Sequence, residues 1–297
     1  MKVKIGVVQP KGFFGKEAEK QEKITLKYIE EGAAQGVQIL CFPEGYPGPY
    51  TFPMPDVHIE NVCAKAKEQG IYVIAGGLEE AEEPGSYYTA QRLIGPDGKI
   101  IGNYRRTTSA GPDIASKLFG WGERKRVWGK ELPVFETELG NVGIVLCSEV
   151  YTPELARVLA LKGADMIFIP SGGLLWTVLE TWKNLIWARA IENLVYTASC
   201  CCIYGVEEGD AMICSPEEIL AESTKEGMLT AEIDLDRTAW LRDNYFPANA
   251  YLVGTDPGKS SGLSFFNYQG QAISRRPELY KPICMDEEEL KAISVRK

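Results

Sequence analysis

Three observations predict an α/β fold, with two packed sheets and helices outside. Strand-like apolar runs alternate with stretches of helical periodicity, the pattern of β-α-β units. One such unit occurs twice: residues 36–45, Gly-Val-Gln-Ile-Leu-Cys-Phe-Pro-Glu-Gly, read like residues 163–172, Gly-Ala-Asp-Met-Ile-Phe-Ile-Pro-Ser-Gly. Each copy follows a helical stretch that itself follows a strand, 5–8 in one case and 142–145 in the other. Finally, 297 residues with 45% apolar and 25% charged side chains suit one large globular domain or two small ones. No Pro/Ser-rich linker divides the chain.

The elements follow in order. Strands are expected at 3–8, 38–42, 72–75, 90–94, 142–146, 166–169 and 195–202. A helix over 16–35 carries Ile24, Tyr28 and Ile29 on one face. A second has Pro153 at its first turn and Leu155, Val158, Leu159 and Lys162 at helical spacing. A third, 182–192, puts Leu185, Ile186 and Ala190 in phase. Residues 79–85 read as a surface loop, and 107–121, rich in Gly and Ser, as a long active-site loop. The tail after Tyr280, with Glu287, Glu288 and Glu289, reads as solvated, able to dock on a partner.

Composition narrows the function. A net charge of −9 argues against nucleic acid, whose phosphates need a basic surface. No apolar run approaches the ~18 residues of a membrane span. The opening Met1-Lys2-Val3-Lys4-Ile5 lacks the apolar core of a signal peptide. Eight cysteines without a CxxC pair suggest free, mostly buried thiols in a reducing cytosol. Cys200, Cys201 and Cys202 cannot converge on one ion, because adjacent strand side chains point to opposite faces. Core packing is their expected role. Neither metal-ligand spacing nor a phosphate-binding loop occurs.

The chemistry concentrates on Cys147. It ends an apolar strand, and a helix opens just beyond it at Thr152-Pro153. A thiol there faces substrate and nearby backbone N–H groups. The strand at 38–42 ends the same way in Pro43-Glu44, so a carboxylate can sit at the same rim. His58 is the single histidine, and it reads as a surface residue. A cysteine–carboxylate pair is therefore the economical scheme.

These segments resemble the nitrilase superfamily of carbon–nitrogen hydrolases over about residues 3–283. The resemblance is carried by Phe42-Pro43-Glu44, Tyr88-Thr89-Ala90, Gly95-Pro96-Asp97-Gly98-Lys99, Gly102-Asn103-Tyr104-Arg105-Arg106, Gly122-Glu123-Arg124, the run from Val142 to Cys147, Arg189-Ala190-Ile191-Glu192-Asn193, and Arg276-Pro277-Glu278-Leu279-Tyr280. It implies a four-layer α-β-β-α sandwich over residues 1–283 with a tail at 284–297. It also implies a cofactor-free enzyme, dimerised through helices near the nucleophile. The family's Glu–Lys–Cys triad maps onto Glu44 as base and Cys147 as nucleophile, with Glu123 as the second glutamate beside it. Members read Tyr-Arg-Lys where this chain reads Tyr104-Arg105-Arg106, so Arg106 occupies the lysine position. Glu149 matches nitrilases that read Cys-Trp-Glu, whereas amidases often read Cys-Tyr-Asp.

The implied reaction hydrolyses a non-peptide carbon–nitrogen bond of a small amide, N-carbamoyl compound or nitrile through a Cys147 acyl-enzyme. The Ser148 backbone N–H and the cation at 106 would hold the oxyanion, and the cation would lower the thiol pKa. Arginine supplies charge but not a proton, since its pKa lies above about 12. Three readings stay open: an electrostatic substitute, a site for an anionic substrate, or a weakened site that binds a metabolite or protein. Position in the chain offers Tyr50, Phe52, Trp121, Tyr151, Ser171, Gly172 and Trp176 as pocket residues, or alternatively as core or interface packing.

Overall fold

Each half of the chain opens with a strand, a helix and a returning parallel strand. A computed structural model describes residues 1–13, 17, 19–48, 57–108, 125–173, 179–205, 208–243, 276–286 and 288–290. The first half runs β1 (Lys2–Gln9), α1 (Lys20–Ala34), β2 (Ile39–Cys41), α2 (Val57–Gln69), β3 (Tyr72–Glu80), β4 (Ser86–Ile94), β5 (Ile100–Arg105) and β6 (Lys125–Arg126). The second runs β7 (Val134–Phe135), β8 (Val142–Ile144), a 3-10 turn (Cys147–Tyr151), α3 (Pro153–Leu161), β9 (Met166–Ser171), α4 (Leu179–Asn193), β10 (Tyr196–Cys201), β11 (Ala211–Cys214) and β12 (Ile219–Ser223). Last come β13 (Gly227–Asp234) and α5 (Leu235–Asp243).

Among the described residues, one sheet has the order β13-β1-β2-β3-β4-β5, with β6 on β4. The other has the order β12-β11-β10-β9-β8-β7. The expected repeat is real at this level. Ile5, Gly6 and Val7 pair in parallel with Ile39, Leu40 and Cys41, while Val142, Gly143 and Ile144 pair in parallel with Met166, Ile167 and Phe168. Both connecting helices stop the same way. Gly36 (φ +77°) and Gly163 (φ +95°) take the left-handed conformation that glycine adopts without cost. The next N–H then reaches back to the last turn, Val37 to Gly32 at 2.9 Å and Ala164 to Leu159 at 3.0 Å.

Strand alternation sorts the side chains into layers. Val3, Ile5, Val7, Cys41, Ile74, Tyr104, Ile144, Phe168 and Ala198 meet between the two sheets. Val8, Leu40, Phe42 and Val73 pack beneath α1 and α2 with Ile29 and Val62. On the opposite side, Ile167, Ile169 and Met212 pack beneath α3 and α4 with Leu159 and Ile186. The result is the four-layer α-β-β-α sandwich. Each fully buried Ile or Leu in these layers contributes roughly 1.5–3 kcal/mol relative to exposure. Cys200, Cys201 and Cys202 fall into three different cores, between the sheets, under α4, and under α1 and α2. The core-packing reading of this run holds.

Several boundaries differ from expectation. Helix α1 starts at Lys20 rather than 16, and β3 runs on through Glu79 and Glu80, leaving only 81–85 as the turn. β8 stops at Ile144, although Val145 N–H still reaches Phe168 O at 3.0 Å. Helices α2 and α5 and strands β5–β7 and β11–β13 are additions. His58 lies within α2.

Candidate active site

The site forms where the repeated units end. β2 runs out into Pro43-Glu44, β9 into Ser171-Gly172, β8 into Cys147, and β5 into Arg106. In the repeat, Glu44 and Ser171 hold equivalent positions, and Cys147 lies close to both. Glu44 raises the pKa of its thiol, and Ser171 Oγ stands 3.1 Å from Cys147 Sγ. The same hydroxyl lies 3.3 Å from the Gly173 carbonyl. Gly172 N–H donates to Glu44 Oε2 at 3.3 Å, and a Cβ on Gly172 would stand 3.3 Å from that oxygen. Cys147 itself has φ +51°, a left-handed conformation that costs a non-glycine residue energy and turns the thiol out of the strand direction.

Arg106 is 2% exposed and carries three contacts. Its Nη1 donates to Glu44 Oε1 at 2.6 Å, Nη2 donates to Ser148 Oγ, and Nε donates to the Thr108 carbonyl at 2.9 Å. Burial opposes its charge, but Glu44, Cys147 and Glu149 outweigh that and hold the guanidinium more firmly protonated than usual. The position expected from sequence to hold a cation therefore does so, and that cation clamps the base.

The thiol behaves differently from expectation. Burial raises the Cys147 pKa, and the Glu44 carboxylate raises it further. Arg106 lowers it, as do the Ser171 hydroxyl and the Gly172 backbone, but the net direction is upward. Arg106 already answers Glu44, so its field at the sulfur is partly cancelled. The resting nucleophile is a neutral thiol.

One central residue was read in the sequence only as a motif match and not as part of the site. Glu149 is fully buried, and its two oxygens accept five hydrogen bonds. Oε1 takes Thr107 N–H at 2.7 Å, Thr107 Oγ1 at 2.7 Å and Thr108 N–H at 3.1 Å. Oε2 takes Tyr104 Oη at 2.6 Å and Leu146 N–H at 2.8 Å. The carboxylate thus ties the residue before Cys147 to the residues on both sides of Arg106. From the other side, Arg189 of α4 donates from Nε and Nη2 to the Val150 carbonyl at 3.0 and 2.8 Å, gripping the far end of the nucleophile turn.

The other sequence candidates divide. Ser148 joins the cluster through Arg106, and Tyr151 closes the turn with 48% exposure. Tyr50, Phe52, Trp121, Glu123 and Trp176, and nearly all of the 107–121 loop, lie outside the described residues.

A strained cysteine beside a part-buried carboxylate–guanidinium pair, at the rim of a four-layer α-β-β-α sandwich, defines the class of protein. Comparison with known proteins narrows it. The carbon-nitrogen hydrolase family model matches residues 4–243. The chain is 31% identical to the omega-amidase NIT2 of Xenopus tropicalis over 234 residues, 74% of this chain and 84% of that protein. Its fold matches a carbon-nitrogen hydrolase from Helicobacter pylori G27 with a TM-score of 0.73 at 20% identity, covering 96% and 99% of the two chains. It also matches a glutamate-to-glutamine variant of the amidase from Nesterenkonia sp. AN1 (TM-score 0.71, 18% identity, 94% and 95% coverage), whose active-site cysteine carries the acetamide moiety of fluoroacetamide. This chain belongs to the carbon-nitrogen hydrolase family.

Proposed function

We propose that the chain hydrolyses the C–N bond of a small carboxamide through a thioester on Cys147. The observation that carries this reading is the contact set joining Cys147, Glu44, Arg106 and Ser171. The relatives named omega-amidase and amidase favour an amide over an N-carbamoyl compound or a nitrile.

The neutral thiol sets the order of events. Glu44 accepts the Cys147 proton as Sγ bonds to the carbonyl carbon, and the carbonyl electron pair moves onto oxygen. The Ser148 N–H, at the start of the turn where such groups lack an internal acceptor, and the Arg106 charge stabilise that oxyanion. On collapse the C–N bond breaks, and Glu44 returns its proton to the departing amine. Water then gives a proton to Glu44 and its oxygen to the thioester carbon. The C–S bond breaks, and the thiolate recovers the proton. Every proton passes through Glu44, so Arg106 need never release one. That is how arginine can stand where the family has lysine. Its three engaged nitrogens also speak against Arg106 as the anchor of an anionic substrate.

The test is ammonia release from a panel of carboxamides, N-carbamoyl compounds and nitriles, with Arg106→Lys run in parallel. Turnover of carboxamides by the natural protein, lost in Arg106→Lys, is the expected result. The Glu44–Arg106 clamp supports a second reading, a site that binds but does not turn over. Silence in the natural protein with turnover in Arg106→Lys would select it.

We further infer a cytosolic homodimer. Tyr151, Val158 and Leu161, on the nucleophile turn and α3, are 48%, 37% and 46% exposed and offer an apolar face for a second copy. All eight cysteines are free, as a reducing compartment would keep them. No helix among the described residues is long and apolar enough to cross a membrane.

A further inference from the structure

Away from Cys147, one buried cation has no counterpart among the described residues. Arg92 of β4 is 5% exposed, yet its Nη1 is enclosed without a hydrogen-bond partner. Its cross-strand neighbour is Asn103 of β5, whose Oδ1 is likewise enclosed and unpartnered. Leu93 and Tyr104, the next residues on the two strands, point between the sheets. Arg92 and Asn103 therefore face the other way, toward α2. Both line a cavity of about 630 Å³ on that outer side, within the size range of small-molecule sites.

The rest of the wall is acidic and apolar. Glu79 is held by Arg105 through two hydrogen bonds, but Glu60 and Glu80 have no partner among the described residues. Ile59, Leu78 and Ile100 supply apolar surface, and Cys63 of α2 places a thiol in the same wall; burial raises its pKa, and the nearby Arg92 guanidinium offsets only part of that rise. A buried charge without a partner is costly, so the cavity calls for an acceptor on Arg92. A simple anion would meet Glu60, Glu80 and the Asn103 acceptor. A simple cation would meet Arg92. A zwitterion answers both signs of charge.

We propose that this cavity binds a free α-amino acid with an apolar side chain. The carboxylate sits on the Arg92 guanidinium, the ammonium lies between Glu60 and Glu80, and the side chain lies on Ile59, Leu78 and Ile100. The site is separate from the Cys147 cluster, which opens at the strand ends, and it stands whatever that cluster hydrolyses.

Cys63 reports on the cavity directly. The full-length protein is alkylated with iodoacetamide at alkaline pH, and modification of each cysteine is followed by peptide mass spectrometry. Millimolar L-leucine should slow Cys63 several-fold while leaving the exposed Cys284 unchanged. Isovalerate, which lacks the ammonium, and isoamylamine, which lacks the carboxylate, should not protect. Arg92→Gln should abolish the protection, read as the ratio with and without leucine because loss of the guanidinium also alters the thiol itself. The surface pair Glu60→Gln/Glu80→Gln, which leaves the buried residues intact, should weaken it several-fold. Absence of protection by leucine at tens of millimolar overturns the proposal. So does protection that survives Arg92→Gln, or equal protection by isovalerate.

Discussion

Glu44 has two effects on Cys147 that pull in opposite directions. It is the only proton acceptor in the proposed cycle, yet its negative charge helps to keep the thiol protonated. Removing that charge in Glu44→Gln favours the thiolate, so the thiol pKa falls. Alkylation of Cys147 by iodoacetamide should then begin at lower pH than in the natural protein, while hydrolysis falls by at least ~100-fold for loss of the general base. An unchanged alkylation profile would show that Glu44 does not act on the sulfur. At this scale the sequence was informative. Cys147, Glu44, Ser171 and Gly172 were marked by their places at the ends of apolar strands and Arg106 by the family resemblance, and they meet. Glu149 was not, because its five donors come from its own turn and from residues 104–108 of a distant strand. No spacing along the chain displays that convergence. The thiol pKa was misjudged for a related reason: the opposing field of Glu44 on Arg106 depends on a contact across 62 positions.

Among the elements, the parallel repeats were legible and the antiparallel additions were not. β2, β8 and β9, and β1 from Ile5 to Val8, are runs buried on both faces. β13 pairs with β1 from Lys2↔Asp234 to Gln9↔Gly227, but its own residues are mostly half-buried and its pattern is weak. Helix α5 buries Leu235, Thr238 and Leu241, and the threonine interrupts the apolar stripe. Two elements carry measurable consequences. Asp210, just before β11, is buried with both carboxylate oxygens unpartnered among the described residues, and burial, aided by Glu222 and Glu180 against Lys183, lifts its pKa to about 7. The folded chain thus keeps a proton that the unfolded chain gives up near 3.8. Stability should be highest below that value, fall as pH rises toward 7, and level off above it. Asp210→Asn should raise stability at pH 8 by on the order of 2–4 kcal/mol, with the gain gone near pH 4, as followed by urea unfolding at each pH. The second element is the nucleophile turn. Glu149→Gln puts an amide donor against N–H or O–H donors, and it should cost about 2–4 kcal/mol of stability along with most of the turnover. Denaturation midpoints and ammonia release measure the two losses, and a variant that is stable but inactive would assign Glu149 to the chemistry instead.

For the whole molecule, the proposed homodimer would use the exposed face of α3. Leu161→Glu should convert a dimer to a monomer in light scattering at micromolar concentration. A natural protein that is already monomeric there would remove that reading. The four-layer order could be anticipated because the repeat at 36–45 and 163–172 implies two sheets of one kind. The return of β13 from the second half to the edge of the first sheet could not, since it depends on which open edge the chain reaches last.

Glu149 also has a mechanical meaning. It projects from a turn at the end of β8, in one sheet, and holds Tyr104, Thr107 and Thr108 at the end of β5, in the other. It is a rivet through two plates. The nucleophile rides on one plate and the cation on the other, so neither sheet can slide without pulling the reacting groups apart. Heat should therefore erase activity at the same temperature at which the sandwich melts, with no interval in which an intact protein has lost its catalyst.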